Sequence, residues 1–152
     1  MAGYRQTDVG ILPEDWSVPV LRQYLRQNAT YGVVKAGSFQ QLGVPMLRGG
    51  DIKNGSVSDD QPLITAEKSQ EYSRTILQEQ DVVIALVGYP GEAAVIPEWL
   101  VGANISRAVG LLRLSNKLHP QYLACYLSNT SLTLGAVVSE GRPGWTQRTG
   151  CA

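Results

Sequence analysis

The sequence predicts an α+β fold, with short strands joined by long loops and a C-terminal helical hairpin. Three observations carry this reading. Sixteen glycines and eight prolines stand against a single Phe in 152 residues, a composition that favours turns over long regular elements. Asp81-Val82-Val83-Ile84-Ala85-Leu86-Val87 is a continuous apolar run rich in β-branched residues, as in a strand buried on both faces. His119-Pro120 followed by Leu123, Tyr126 and Leu127 reads as a helix with proline at its first position and one apolar stripe.

In chain order, Ile11-Leu12-Pro13-Glu14-Asp15-Trp16 is a proline-punctuated turn. Trp16, Val18 and Val20 alternate at strand period, with Pro19 confining that strand to an edge. Leu21, Tyr24 and Leu25 fall at helical spacing before Asn28. Gly43 to Arg48 is a short strand entering the turn Gly49-Gly50-Asp51, and Asn54-Gly55 is a tight turn because both residues tolerate positive φ. Thr65 caps a helix from Ala66 to Arg74. The apolar run ends in the loop Gly88-Tyr89-Pro90-Gly91, and Ala93 to Ile96 returns as a strand stopped by Pro97. Ala108 to Leu114 is a further strand that carries Arg113 outward. The helix at Pro120 stops near Asn129, and Leu132 to Val138 supplies the second helix of the hairpin. Tyr24, Tyr122 and Tyr126 are expected in the core, and Trp16 and Trp99 in the core or facing a partner.

Composition narrows the function classes. A 43% apolar and 17% charged chain of this length suits one globular domain spanning 1–152, with 143–152 as a disordered or truncated tail. No run approaches the roughly 18 apolar residues needed to span a bilayer, and the N-terminus has no signal-peptide h-region, so a cytoplasmic location is expected. Cys125 and Cys151, with His119 as the lone histidine, do not make a metal site. Cys125 is expected as a small core residue. Net charge is zero, but residues 21–57 hold five basic side chains against Asp51 and residues 102–152 hold five against Glu140. The six acids of 58–81 lie between them. A fold that joins the two basic segments would present a basic face, although composition alone favours ordinary surface scatter.

Catalytic signatures are missing. Gly88-Tyr89-Pro90-Gly91-Glu92 follows a strand but lacks the Gly-Lys-Ser/Thr ending of a phosphate loop. There is no Gly-x-Ser-x-Gly elbow, and nothing ties Ser106 to His119 as nucleophile and base. The acid pairs Glu14-Asp15 and Asp59-Asp60 lie in turns as solvated groups. The glycine-rich cofactor motif and the Asn/Asp-Pro-Pro-aromatic motif of a DNA methyltransferase are both absent. A non-catalytic protein without cofactor is expected.

Four segments, in order, resemble the specificity subunits of type I restriction-modification systems. Tyr4 to Trp16 looks like the family's opening signature ending in Ile-Pro-x-x-Trp. Gly43-Val44-Pro45-Met46-Leu47-Arg48-Gly49-Gly50-Asp51-Ile52 is similar to its Val-Pro-x-Leu-Arg-x-x-(Asn/Asp)-Ile block. Leu77 through Ala94 resembles its glycine-bounded apolar hairpin, with Gln80 where Gly is commoner. Gly102-Ala103-Asn104-Ile105-Ser106-Arg107 leads through a strand to Pro120-Gln121-Tyr122-Leu123. The resemblance covers about 130 of the 152 residues.

The resemblance implies an irregular, strand-rich, β-helix-like target recognition domain followed by a helical hairpin. In the family two such domains, spaced by long helices, each read half of a bipartite site in double-stranded DNA. Partner methyltransferase subunits bind cofactor and modify adenine, and a restriction subunit can join them. This chain departs from that plan after one domain. Gly144-Trp145-Thr146-Gln147 approaches the family's Pro-rich segment, but Arg148-Thr149-Gly150-Cys151-Ala152 does not continue it, so truncated spacer helices are expected.

DNA readout needs donors and acceptors on loops that reach base edges, with basic side chains on phosphates. The candidates are Lys35, Arg48, Lys53, Asn54, Tyr89, Asn104, Ser106, Arg107, Arg142, Thr146 and Gln147. Each also has a structural alternative: Arg48 can pair with Asp51, and Asn104 can cap a turn. Other readings left open are a half-subunit that docks on the methyltransferase or self-associates without reading DNA, and a truncated remnant.

Overall fold

The computed structural model describes residues 3–129. It opens with an antiparallel hairpin of β1 (Tyr4–Thr7) and β2 (Gly10–Pro13), with Tyr4 opposite Pro13. The segment expected as a proline-punctuated turn is therefore half strand. The strand expected at Trp16 to Val20 is absent, and those three alternating side chains are all exposed. Pro19 cannot donate to a ladder and no neighbour pairs with the segment, so the period-2 pattern has no face to bury. A 3₁₀ turn at Leu21–Tyr24 follows, where a short helix was expected.

Next come β3 (Thr30–Tyr31), β4 (Val44–Leu47), a 3₁₀ turn at Gly49–Asp51, and the small hairpin β5 (Ile52–Lys53) with β6 (Ser56–Val57). Asn54 and Gly55 take φ of 53° and 73° at its turn, as their residue types predict. β7 (Leu63–Ile64) precedes α1 (Ala66–Glu71), whose N-cap Thr65 accepts a hydrogen bond from the Lys68 amide at 3.1 Å. That helix ends earlier than expected, giving way to a 3₁₀ turn at Ser73–Thr75. The remaining elements are β8 (Val82–Ala85), β9 (Ala93–Val95), a 3₁₀ turn at Glu98–Leu100, β10 (Asn104–Ile105), β11 (Val109–Leu112) and α2 (Pro120–Asn129).

β8 is central to an antiparallel sheet ordered β3-β11-β8-β9, with Ala85 opposite Val109 and Val82 opposite Val95. Its four residues alternate between two cores, which is why the sequence shows an unbroken apolar run. Val83 and Ala85 face one side with Leu47, Ile52, Leu100, Ile105, Val109 and Leu111. Val82 and Ile84 face the other side with Leu112, Leu114, Leu123, Ala124 and Leu127. α2 covers that second face, and Ser128 Oγ, at 3.1 Å from both backbone polar atoms of Ala93, ties the helix end to β9. A second sheet, β10-β4-β7, pairs β10 parallel and β7 antiparallel to β4.

Several expected placements change. The helix stripe is Leu123, Ala124 and Leu127, whereas Tyr122 and Tyr126 lie exposed on the outer face, stacked with centroids 6.4 Å apart. Residues four apart share a face, and here that face turns from the sheet. Cys125 lies on the same side and is exposed rather than core. Trp16 and Trp99 are also exposed.

Arg113 points inward: it follows Leu112 in the alternation of β11 and meets Asp81, which has no exposed surface. Nε and Nη2 of Arg113 bond the two Asp81 oxygens at 2.9 and 2.7 Å, while Nη1 reaches Gln27 Oε1 and Nη2 also reaches the Ile76 carbonyl. A buried charge is tolerated only when paired and hydrogen-bonded, and this pair is both. The helix expected at Leu132 to Val138, and Cys151, lie outside the described residues. No helix among the described residues is long and apolar enough to cross a membrane.

Candidate nucleic-acid interface

The register of the four-stranded sheet sends one set of loops to a single end. β8 runs toward Ala85 and leaves into the 86–92 loop, while its antiparallel partner β11 enters at Val109 from the 106–108 segment. β3 pairs with β11 through Tyr31 and Gly110, so the chain after Tyr31 emerges at the same end. There Val33 bridges Ser106 in parallel, and the Arg107 amide donates to the Val33 carbonyl at 2.9 Å. Lys35, two residues on, thus leaves from beside Arg107.

The turn after β4 docks on this end. The Leu86 and Val87 amides both donate to the Ala108 carbonyl, at 2.8 and 3.3 Å. A Cβ on Gly49 would overlap the Val87 carbonyl oxygen, so the turn can approach this closely only with glycine there. The β5–β6 hairpin completes the rim. The Asn54 amide donates to Glu92 Oε2 at 2.9 Å, and Lys53 Nζ sits 5.0 Å from the Tyr89 ring centroid, a cation–π contact. Five segments from distant parts of the chain therefore share one rim: 33–35, 48–51, 53–54, 86–92 and 106–108.

The candidates divide on this geometry. Lys35, Lys53, Asn54, Tyr89 and Arg107 are exposed on the rim. Among the described residues, Lys35 and Arg107 make no ion pair. Arg48 is half-exposed but largely engaged: Nε and Nη2 meet the Asp51 carboxylate at 3.1 and 2.9 Å, and Nη2 also reaches the Asp60 carbonyl at 2.8 Å. The hydrogen bond from its guanidinium to Asp51 holds its pKa above the ordinary arginine value, with burial opposing. Asp51 also accepts from the Arg48 amide at 2.7 Å, which closes the 3₁₀ turn.

Asn104 and Ser106 belong to the support beneath. Asn104 has no exposed surface. Its amide nitrogen donates to Ser69 O and Oγ and to the Tyr72 carbonyl, and its oxygen accepts from Thr75 Oγ1 at 2.6 Å and the Ile105 amide at 2.8 Å. Every polar atom of the side chain is spent on joining α1 to β10. Ser106 Oγ, nearly buried, accepts from the Ala108 amide at 3.2 Å and shapes the turn before β11. Glu92, which residue-type reasoning about base readers passed over, anchors the Asn54 turn; its place just after Gly91 was the available signal. Arg142, Thr146 and Gln147 lie outside the described residues. Among the described residues, no three His, Cys, Asp or Glu side chains gather as metal ligands.

Comparison with known proteins agrees with the resemblance drawn from the sequence. No protein-family model matches the chain. It is 29% identical over 134 residues to the type I restriction enzyme EcoBI specificity subunit of Escherichia coli, a match covering 86% of this chain and 28% of that protein. The crystal structure of the HsdS subunit from Thermoanaerobacter tengcongensis superposes with a TM-score of 0.60 at 19% identity, covering 81% of this chain and 29% of that one. A chain from a structure of complex assembly and conformational transition of the type I R-M system gives a TM-score of 0.58 at 18% identity, covering 80% and 30%. The chain thus spans less than a third of the length of these relatives, and its mixed, strand-rich fold is theirs over that stretch. It is similar to one domain-sized portion of a type I specificity subunit.

Proposed function

We propose that this chain reads one half of a bipartite DNA target as a non-catalytic recognition component of a type I restriction-modification complex. The carrying observation is the rim, where Lys35, Lys53 and Arg107 come from three distant segments to one end of a rigid sheet. Arg107 reads a base edge, where its planar fork can pair bidentately with guanine. Lys35 and Lys53 take backbone phosphates, which set register without reading sequence. Tyr89 holds Lys53 through its ring, and the Asn54 side chain sits at the tip of the adjoining turn. Arg48 orders its turn through Asp51 and adds a partial positive charge to the rim. Methyl transfer falls to partner methyltransferase subunits, with a restriction subunit as a further partner. The β-helix-like winding expected above belongs to this reading, as do contacts from Arg142, Thr146 and Gln147.

A selection from randomised duplexes at low salt, with and without the methyltransferase subunit, tests the reading. Enrichment of a short motif, lost in Arg107→Ala, is expected. The second reading is a half-subunit that docks on the methyltransferase, or on a second copy, without reading DNA. It is favoured by the exposed apolar side chains of the N-terminal segment, Tyr4, Ile11 and Trp16 at 69%, 69% and 59%. Methyltransferase binding without any enriched motif would select it.

A further inference from the structure

At the end of the sheet opposite the rim, a cleft of about 620 Å³ opens between Arg26 beyond the 3₁₀ turn at Leu21–Tyr24, Gln80 before β8, and the segment from Leu114 to Pro120 that joins β11 to α2. From its position and chemistry we propose that this cleft binds the phosphate group of a nucleotide-sized ligand, at a site separate from the DNA-facing rim.

Its walls are rich in donors. Arg26, Lys117 and His119 line it, and no Asp or Glu does. The nearest buried carboxylate, Asp81, is held by Arg113 and offers no competing charge. Arg26 spends Nε on the Leu114 carbonyl at 2.9 Å, which fixes the guanidinium at the edge of the cleft while leaving its terminal nitrogens without a partner among the described residues. Lys117 and His119 make no hydrogen bond or ion pair through their side chains among the described residues.

The floor adds a second kind of observation. Ser115 is a lining residue of this cleft, and its Oγ, covered within the wall, is the one such side-chain atom among the described residues with no hydrogen-bond partner. A buried hydroxyl without a partner is costly, and a small shift of the cleft wall would open this one to a group supplied from outside. The ten-residue α2 begins at the same wall with Pro120, which has no amide to offer; the Leu123 amide is already bonded to the His119 carbonyl, and those of Gln121 and Tyr122 have no intrahelical acceptor. Those amides and the helix dipole favour an anion.

Gln80 completes the wall in a left-handed conformation, φ 66°, which L residues adopt at a cost. The side chain retained there is an amide, able to bond a ligand's polar edge. Leu114 and Leu118 add apolar surface, and the volume lies in the range of about 300–1,000 Å³ typical of small-ligand pockets, larger than a bare phosphate needs. Donors at one wall and apolar surface at another suit a phosphate joined to a flat apolar ring, whether a free mononucleotide or a nucleotide at a DNA end.

Amide chemical shifts of the full chain, titrated separately with inorganic phosphate, adenosine monophosphate and a short blunt duplex, test this. Phosphate and the mononucleotide are expected to move the amides of Ser115, Gln121 and Tyr122, with the mononucleotide binding more tightly. Lys117→Glu should weaken the mononucleotide about tenfold, as for loss of one charge-assisted hydrogen bond. Ser115→Ala should weaken it too while leaving Tm unchanged or raised, since no protein bond is lost. Shifts at these amides with the duplex alone would assign the phosphate to DNA. The proposal is overturned if none of the three probes moves these amides, or if Lys117→Glu and Ser115→Ala both bind as the parent does.

Discussion

Each end of the four-stranded sheet carries an arginine forked onto an aspartate, yet the two pairs do different work. Arg113–Asp81 is sealed, with side-chain exposures of 9% and 0%. Arg48–Asp51 leaves its arginine 48% exposed, and both partners lie within one four-residue turn. The first joins segments 32 residues apart and cannot exchange its partner for water. The second shapes a local turn and keeps part of its guanidinium in solvent, where an anion can still approach. The same bidentate chemistry is thus a strut where it is dry and a positioned charge where it is wet.

Breaking the strut should give the largest effect. Asp81→Ala leaves a buried guanidinium uncompensated, and about 3–5 kcal/mol of stability should be lost in urea unfolding. Replacing both members with well-packed apolar residues should restore much of that loss; if it does not, the pair also specifies the geometry. Asn104→Ala should come next, at about 3 kcal/mol, because it strands several buried partners of its amide. A loss confined to DNA binding, with unfolding unchanged, would instead return Asn104 to the reading surface.

At the rim the expected effects move from stability to binding. Arg107→Ala should leave Tm unchanged, cost about 1–3 kcal/mol in specific DNA affinity and relax one position of the motif. Unaltered affinity and preference would remove Arg107 from the site. Arg48→Ala should cost only about 0.5 kcal/mol of stability, since water screens a half-exposed pair. A loss as large as that of Asp81→Ala would erase the distinction between the two ends. Lys35→Ala is expected to have the smallest and least selective effect: uniform weakening, with the slope of log affinity against log salt falling by about 1.

The sequence determined by itself what local chemistry controls. The Asn54-Gly55 turn, the Thr65 cap, the β8–β9 hairpin around its Gly-Pro loop and the proline-started α2 all follow from residues close in the chain. The family resemblance, resting on ordered motifs, was legible there too. Facing was decided only by tertiary structure. Arg113 turns inward because Asp81 waits 32 residues away, and Asn104 sinks because Ser69, Tyr72 and Thr75 absorb its amide. Tyr122 and Tyr126 turn outward because Leu123 and Leu127 already fill the sheet's face, and Trp16 to Val20 fail as a strand for want of an edge to join. Charge, hydrogen-bonding capacity and apolar area belong to each residue, but whether they meet water or protein depends on partners brought in from elsewhere in the chain.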